Sequence, residues 1–201
     1  MRAATRRVRI AGAAGRIELA IDLPQGVARG SALVAHPHPV HGGTLDNKVV
    51  QTLARAFAAL GYVAVRPNFR GVGASEGRYD EGRGELEDLY AAWQYVRAEV
   101  SSAPPVLAGF SFGAAIQAQL AARVAPERMV LVGLAVNHFK VPVVPAGTLI
   151  VHGERDETVP LAAVLDWARP FDLPVVVVPG ADHFFHRRLQ LLRGIVEHNW
   201  R

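Results

Sequence analysis

Short apolar runs without strict alternation take turns, along this chain, with segments whose apolar positions recur every three to four residues. Residues 6–24, RRVRIAGAAGRIELAIDLP, differ: Ile17, Leu19 and Ile21 alternate, which predicts two short strands around a Gly-Ala turn. ALVAHP then gives an apolar run ending in proline, and Val49, Val50, Leu53, Ala54, Phe57 and Leu60 follow at helical spacing until Gly61. YVAVRP predicts a strand, residues 68–84 a polar glycine-rich loop, and Leu86, Leu89, Tyr90, Trp93, Val96 and Val100 an amphipathic helix. The alternation continues with PVLAGF as a strand, FGAAIQAQLAARV as a helix and MVLVGLAV as a strand. GTLIVHG predicts a strand, PLAAVLDWARP a helix, PVVVVPG a strand and HRRLQLLRGIVEHNW a closing helix. Apolar strands separated by helices predict an α/β fold, a mainly parallel sheet covered on both faces. Ligands in such sheets sit beyond the carboxyl ends of the strands.

Composition narrows the class. The chain has 201 residues, half of them hydrophobic, and this length predicts a single domain spanning 1–201. Its longest apolar run, residues 129–136, falls far short of the ~18 residues that cross a bilayer, so no membrane is expected as a partner. The start, MRAATRRVRIAGAAG, has arginines but no continuous apolar stretch of the kind that directs secretion, and a cytoplasmic location is expected. The absence of cysteine excludes disulfides, thiolate metal sites and a cysteine nucleophile. Net charge is +4, carried by arginines dispersed along the whole chain, with only Lys48 and Lys140 as lysines. No basic stripe accompanies a nucleic-acid-binding motif, so these read as solvated surface charges and nucleic acid is not an expected partner.

Two stretches fit the serine-hydrolase pattern G-x-S-x-G: GASEG at 73–77 and GFSFG at 109–113. Ser111 lies between an apolar strand and a helix, the placement a nucleophile elbow needs to lift a serine oxygen above the sheet. Ser75 lies inside RGVGASEGRYDEGRGE, whose glycines read as turn residues. Ser111 is therefore the candidate nucleophile. Of eight histidines, His183 in GADHFFH follows a strand and reaches the same rim, making it the candidate base. Asp156, in the loop after GTLIVHG, is the candidate acid, with Glu154, Glu157 and Asp182 as rivals. His186 is expected to face elsewhere.

HPHPVHGG, residues 36–43, follows another strand and occupies the position of a second oxyanion donor. Pro37 and Pro39 have no N–H, so the His38 amide is the donor there, paired with that of Phe112. A metal site is the rival reading, since His36, His38 and His41 are close in sequence and His183 could approach. Zinc sites in hydrolases, however, usually combine spaced histidines on rigid elements with carboxylates, and the prolines stiffen an extended segment that points alternate residues to one side. His36 and His41 otherwise read as loop-bracing imidazoles. Neither a cofactor nor a metal is expected.

HPHPVHGGTLDNKVV, RPNFRGVGASEG, GFSFG, HGERDETV and GADHFF together resemble the α/β-hydrolase superfamily, specifically its compact members related to the dienelactone-hydrolase group. The resemblance implies an eight-stranded sheet whose second strand is antiparallel, and it matches Ser111, Asp156 and His183 to the family's triad. It also implies that NFRGVGASEG buttresses the oxyanion segment, giving Ser75 a structural role. Authentic dienelactone hydrolases use cysteine, so that activity is not carried over. Only NHFKVPVVPAG separates the sixth and seventh strands, too short for a cap. The site is thus expected to be open, bounded by His38, Phe110, Phe112, Phe139 and Phe184. A carboxylesterase acting on a small or short-acyl ester is the leading expectation, with a homodimer allowed for. Acyl-CoA thioesterase action and a non-catalytic scaffold that binds a partner protein are the alternatives.

Overall fold

Eight strands form one sheet in the order β1-β2-β4-β3-β5-β6-β7-β8 in the computed structural model, which describes residues 5–200. The strands are β1 (Thr5–Gly12), β2 (Gly15–Asp22), β3 (Gly30–Ala35), β4 (Tyr62–Pro67), β5 (Val106–Phe110), β6 (Met129–Val132), β7 (Leu149–Gly153) and β8 (Val175–Val178). β2 runs antiparallel to both its neighbours, and every other pairing from β4 to β8 is parallel. The eight strands and the antiparallel second strand are those that the resemblance implies.

The central strands are buried on both faces, so successive side chains enter different cores. In β3, Leu33 and Ala35 join one apolar cluster while Ala32 and Val34 join the other. The first cluster is closed by α2 (Arg83–Tyr95), α3 (Phe112–Ala121) and α4 (Leu161–Ala168), the second by α1 (Lys48–Ala59) and α5 (Leu189–His198). Each fully buried large apolar side chain, such as Leu53, Phe57 or Leu89, contributes about 1.5–3 kcal/mol through removal from water. The β1 edge instead presents Arg7, held by Glu18 and Asp46, at the margin of a cavity where Arg66 is held by Asp22.

Several expected elements are shorter. MVLVGLAV yields strand only to Val132, because Gly133 takes φ +55° and donates its N–H to Val151. The closing helix starts at Leu189 rather than His186, because Phe185 and Arg187 adopt positive φ and Asp182 takes the His186 N–H. α2 starts at Arg83 and ends at Tyr95, and residues 96–100 complete it as a wider π turn. Residues 133–148 contain no helix, so no cap covers the carboxyl ends of the strands.

Candidate active site

Ser111 stands at the turn from β5 into α3 with φ 56° and ψ −117°, a conformation that costs a non-glycine residue about 1–3 kcal/mol. Its surroundings impose the turn. Ser111 N–H donates to Val132 O at 2.9 Å, and Ser111 O accepts from Ala114 and Ala115. The flanking glycines are required by close approach: a Cβ on Gly109 would lie 2.6 Å from Ala114 N, and one on Gly113 would lie 2.4 Å from His36 O. Gly113 therefore brings the start of α3 against the end of β3, where HPHPVHGG begins.

Two loops are joined above β7 and β8. Arg155 N–H donates to Ala181 O at 2.9 Å, Glu154 N–H donates to Val178 O at 3.1 Å, and Gly180 N–H donates to the Glu154 carboxylate at 2.7 Å. Phe185 anchors the second loop in the α1/α5 core. His183 and Asp156 meet as a consequence: His183 Nδ1 lies 2.7 Å from Asp156 Oδ2, and His183 Nε2 lies 3.0 Å from Ser111 Oγ. All three residues are buried, at 5–8% exposure, with Ser111 the most accessible. The other Asp156 oxygen accepts from Thr158 N–H at 3.0 Å and Val159 N–H at 2.7 Å, which keeps the carboxylate turned toward the imidazole. The rival acids do not face His183: Glu154 binds Gly180, Asp182 binds the exposed His186, and Glu157 is exposed.

Around HPHPVHGG the three histidines diverge. His36 is fully buried; its Nε2 accepts from Phe69 N–H at 3.0 Å, so Nδ1 carries the proton and donates to Pro37 O at 2.6 Å. Burial pushes its pKa down to about 4. His38 is half-buried; its Nδ1 accepts from Val40 N–H, and its Nε2–H donates to Tyr79 Oη at 3.1 Å. Burial, followed by the positive potential of His41 and His138, lowers the His38 pKa. The prolines predict an extended segment, but beyond His38 the chain turns instead: Pro39–His41 form a 3₁₀ turn closed by left-handed Gly42. Among the described residues, the N–H groups of His38 and Phe112 donate to no protein acceptor. No three His, Asp or Glu side chains cluster for a metal among those residues.

Ser75 is buried in the 68–82 loop. Its hydroxyl donates to Asn68 O at 2.8 Å and accepts from Glu18 N–H at 2.9 Å. Of the aromatic residues expected at the rim, Phe184 is 46% exposed and Phe139 is half-buried. Phe110 and Phe112 depart from the expectation: both side chains are inside the protein, Phe110 supporting the His183 ring at 4.9 Å and Phe112 packing under His38 at 5.1 Å. Inward pointing on β5 and the first turn of α3 leaves their rings no path to solvent. Two residues escaped the sequence reading. Tyr79, in a loop without periodicity, packs on His38 and lines a groove of about 850 Å³ together with Phe139, Lys140, Arg123 and Glu87. His152, in β7, lies beneath Asp156 with its Nε2 2.8 Å from Val159 O. Its i,i+4 offset from Asp156 within HGERD was the available signal.

Comparison with known proteins agrees with this architecture. Residues 38–141 match the family described as serine aminopeptidase, S33, a span that includes residues 38–43 of HPHPVHGG and Ser111. The chain is similar to a lidless α/β serine hydrolase from Xanthomonas campestris, with 37% identity, TM-score 0.91, and coverage of 97% of this chain and 93% of that one. It is also similar to an α/β serine hydrolase homologue from Coxiella burnetii, with 40% identity, TM-score 0.89, and coverage of 98% and 97%. An uncharacterized protein of Rickettsia prowazekii is 33% identical across 79% of this chain and 73% of its own length. No described helix is long and apolar enough to cross a membrane.

Proposed function

Since the chain belongs to the α/β-hydrolase superfamily, as a lidless serine hydrolase, we propose that it is a carboxylesterase working through Ser111, His183 and Asp156. The observation that carries this reading is the continuous relay from Ser111 Oγ through the imidazole to the Asp156 carboxylate, at 3.0 and 2.7 Å. His183 Nε2 takes the hydroxyl proton as Ser111 Oγ bonds to the ester carbonyl carbon. The carbonyl π electrons move onto oxygen, which the His38 and Phe112 N–H groups receive. Each such donor is worth roughly 3 kcal/mol in the transition state. Collapse of this intermediate expels the alcohol, which takes the proton from His183 and leaves an acyl-Ser111 ester. Water, deprotonated by His183, then releases the carboxylic acid and restores the serine. Asp156 holds the Nδ1–H tautomer and offsets the imidazolium charge.

The open rim and the half-exposed ring of Phe184 favour small or short-acyl esters. Acyl-CoA thioesterase action is the second reading, favoured by Arg83, Arg123 and Lys140 in the groove that Tyr79 lines, where they stand beside Asp80, Glu81 and Glu87. Turnover of acetyl and butyryl p-nitrophenyl esters set against acyl-CoA separates the two. A fluorophosphonate probe followed by intact-mass analysis tests the serine assignment itself. One adduct is expected, located on Ser111 and lost in Ser111→Ala. A protein that forms no adduct and turns over neither ester class is instead a non-catalytic scaffold.

A further inference from the structure

His152 is a buried titratable group to which the mechanism above gives no work. It lies on β7 with no exposed surface, and Asp156 follows it after one tight turn. Its Nε2 is 2.8 Å from Val159 O and 3.4 Å from Asp156 Oδ2, the oxygen that also faces His183. Both neighbours are acceptors, so Nε2 must carry a hydrogen. Nδ1 is buried with no partner among the described residues, and burial lowers the His152 pKa, both in keeping with a neutral ring. The same turn is gripped from its other side, since Val159 N–H donates to Asp156 Oδ1 at 2.7 Å. The His152 ring therefore touches both the Val159 peptide and the carboxylate it helps to orient.

We propose that His152 is a positioning residue for Asp156: its Nε2–H, given to Val159 O with Asp156 Oδ2 beside it at 3.4 Å, fixes the 156–159 turn and the rotation of the carboxylate facing His183. This inference rests on the triad reading. A buried Leu or Phe at 152 would fill the space but offer no donor, leaving Val159 O unpaired and the carboxylate free to turn. A carboxylate free to turn would hold the imidazolium less tightly. The titratable groups facing His183 are Asp156, Ser111 and His152. Asp182, its neighbour in the chain, turns outward to His186, and Glu154 turns to Gly180.

The test compares His152→Leu and His152→Gln with wild type, the glutamine amide being able to stand in for Nε2–H. For p-nitrophenyl acetate, His152→Leu is expected to lower kcat by about tenfold to a hundredfold, the scale of misplacing one group in an aligned site, with KM within about twofold. The acid limb of its kcat/KM profile is expected to move to lower pH. His152→Gln is expected to recover most of both. The low-field proton resonance of the His183–Asp156 hydrogen bond gives a readout that needs no turnover; it should broaden or vanish in the leucine variant and persist in the glutamine variant. An unmoved or raised acid limb with an intact resonance in His152→Leu overturns the proposal, as does a glutamine variant no better than leucine. Failure of the triad reading is seen separately, as absence of a fluorophosphonate adduct in the wild-type protein.

Discussion

Acidification should weaken the fold through His36, and the size of the effect follows from its environment. The imidazole accepts from Phe69 N–H and donates to Pro37 O inside a site without solvent access. A second proton has to sit on Nε2, facing an N–H it now repels. The folded pKa is about 4 against an ordinary 6.5, so the unfolded chain binds the proton more readily between those values. Stability depends on pH with the difference in protons bound by the two states, and it falls here as pH drops below 6.5. For a single site the loss is about 2 kcal/mol at pH 5 and tends to about 3 kcal/mol below pH 4. Above 6.5 the histidine is neutral in both states and the penalty vanishes. The measurement is urea unfolding of wild type and His36→Gln at pH 8 and pH 5. Gln has an oxygen for Phe69 N–H but does not titrate. The variant should be the less stable at pH 8, and its deficit should shrink by about 2 kcal/mol at pH 5, with the other histidines cancelling between the two proteins. A deficit equal at both pH values would refute the assignment of this acid sensitivity to His36.

Other positions give further expectations. Gly113→Ala puts a methyl group 2.4 Å from His36 O, a backbone atom, so the elbow and the oxyanion segment must separate. Esterase turnover should fall by about a hundredfold, with a loss of roughly 2–4 kcal/mol in urea unfolding. Ser75→Ala strands Glu18 N–H and Asn68 O and should cost about 1–3 kcal/mol, while its fluorophosphonate labelling rate stays at the wild-type value. A label-negative Ser75→Ala protein would reopen the choice between the two serines. Prolonged dialysis against a chelator should leave ester turnover unchanged; a loss restored by added zinc would speak for the metal reading of HPHPVHGG.

The residues themselves determined the layered α/β architecture, because buried parallel strands need continuous apolar runs and covering helices need one apolar stripe. They also distinguished Ser111 from Ser75, since only GFSFG follows a strand and opens a helix. Three-dimensional packing decided what a linear pattern has no means of encoding. The ends of elements at Gly133 and Leu189 depended on partners distant in the chain. Phe110 and Phe112 went inside because neighbouring rings cover them, whereas hydrophobicity alone fitted a rim equally well. The link between His152 and Asp156 required one turn to fold back over β7, and the meeting of Asp156 with His183 required the 154–156 and 180–183 segments to be joined by hydrogen bonds. Periodicity records which side of an element faces the core; contacts between loops arise only when the sheet has set their origins side by side.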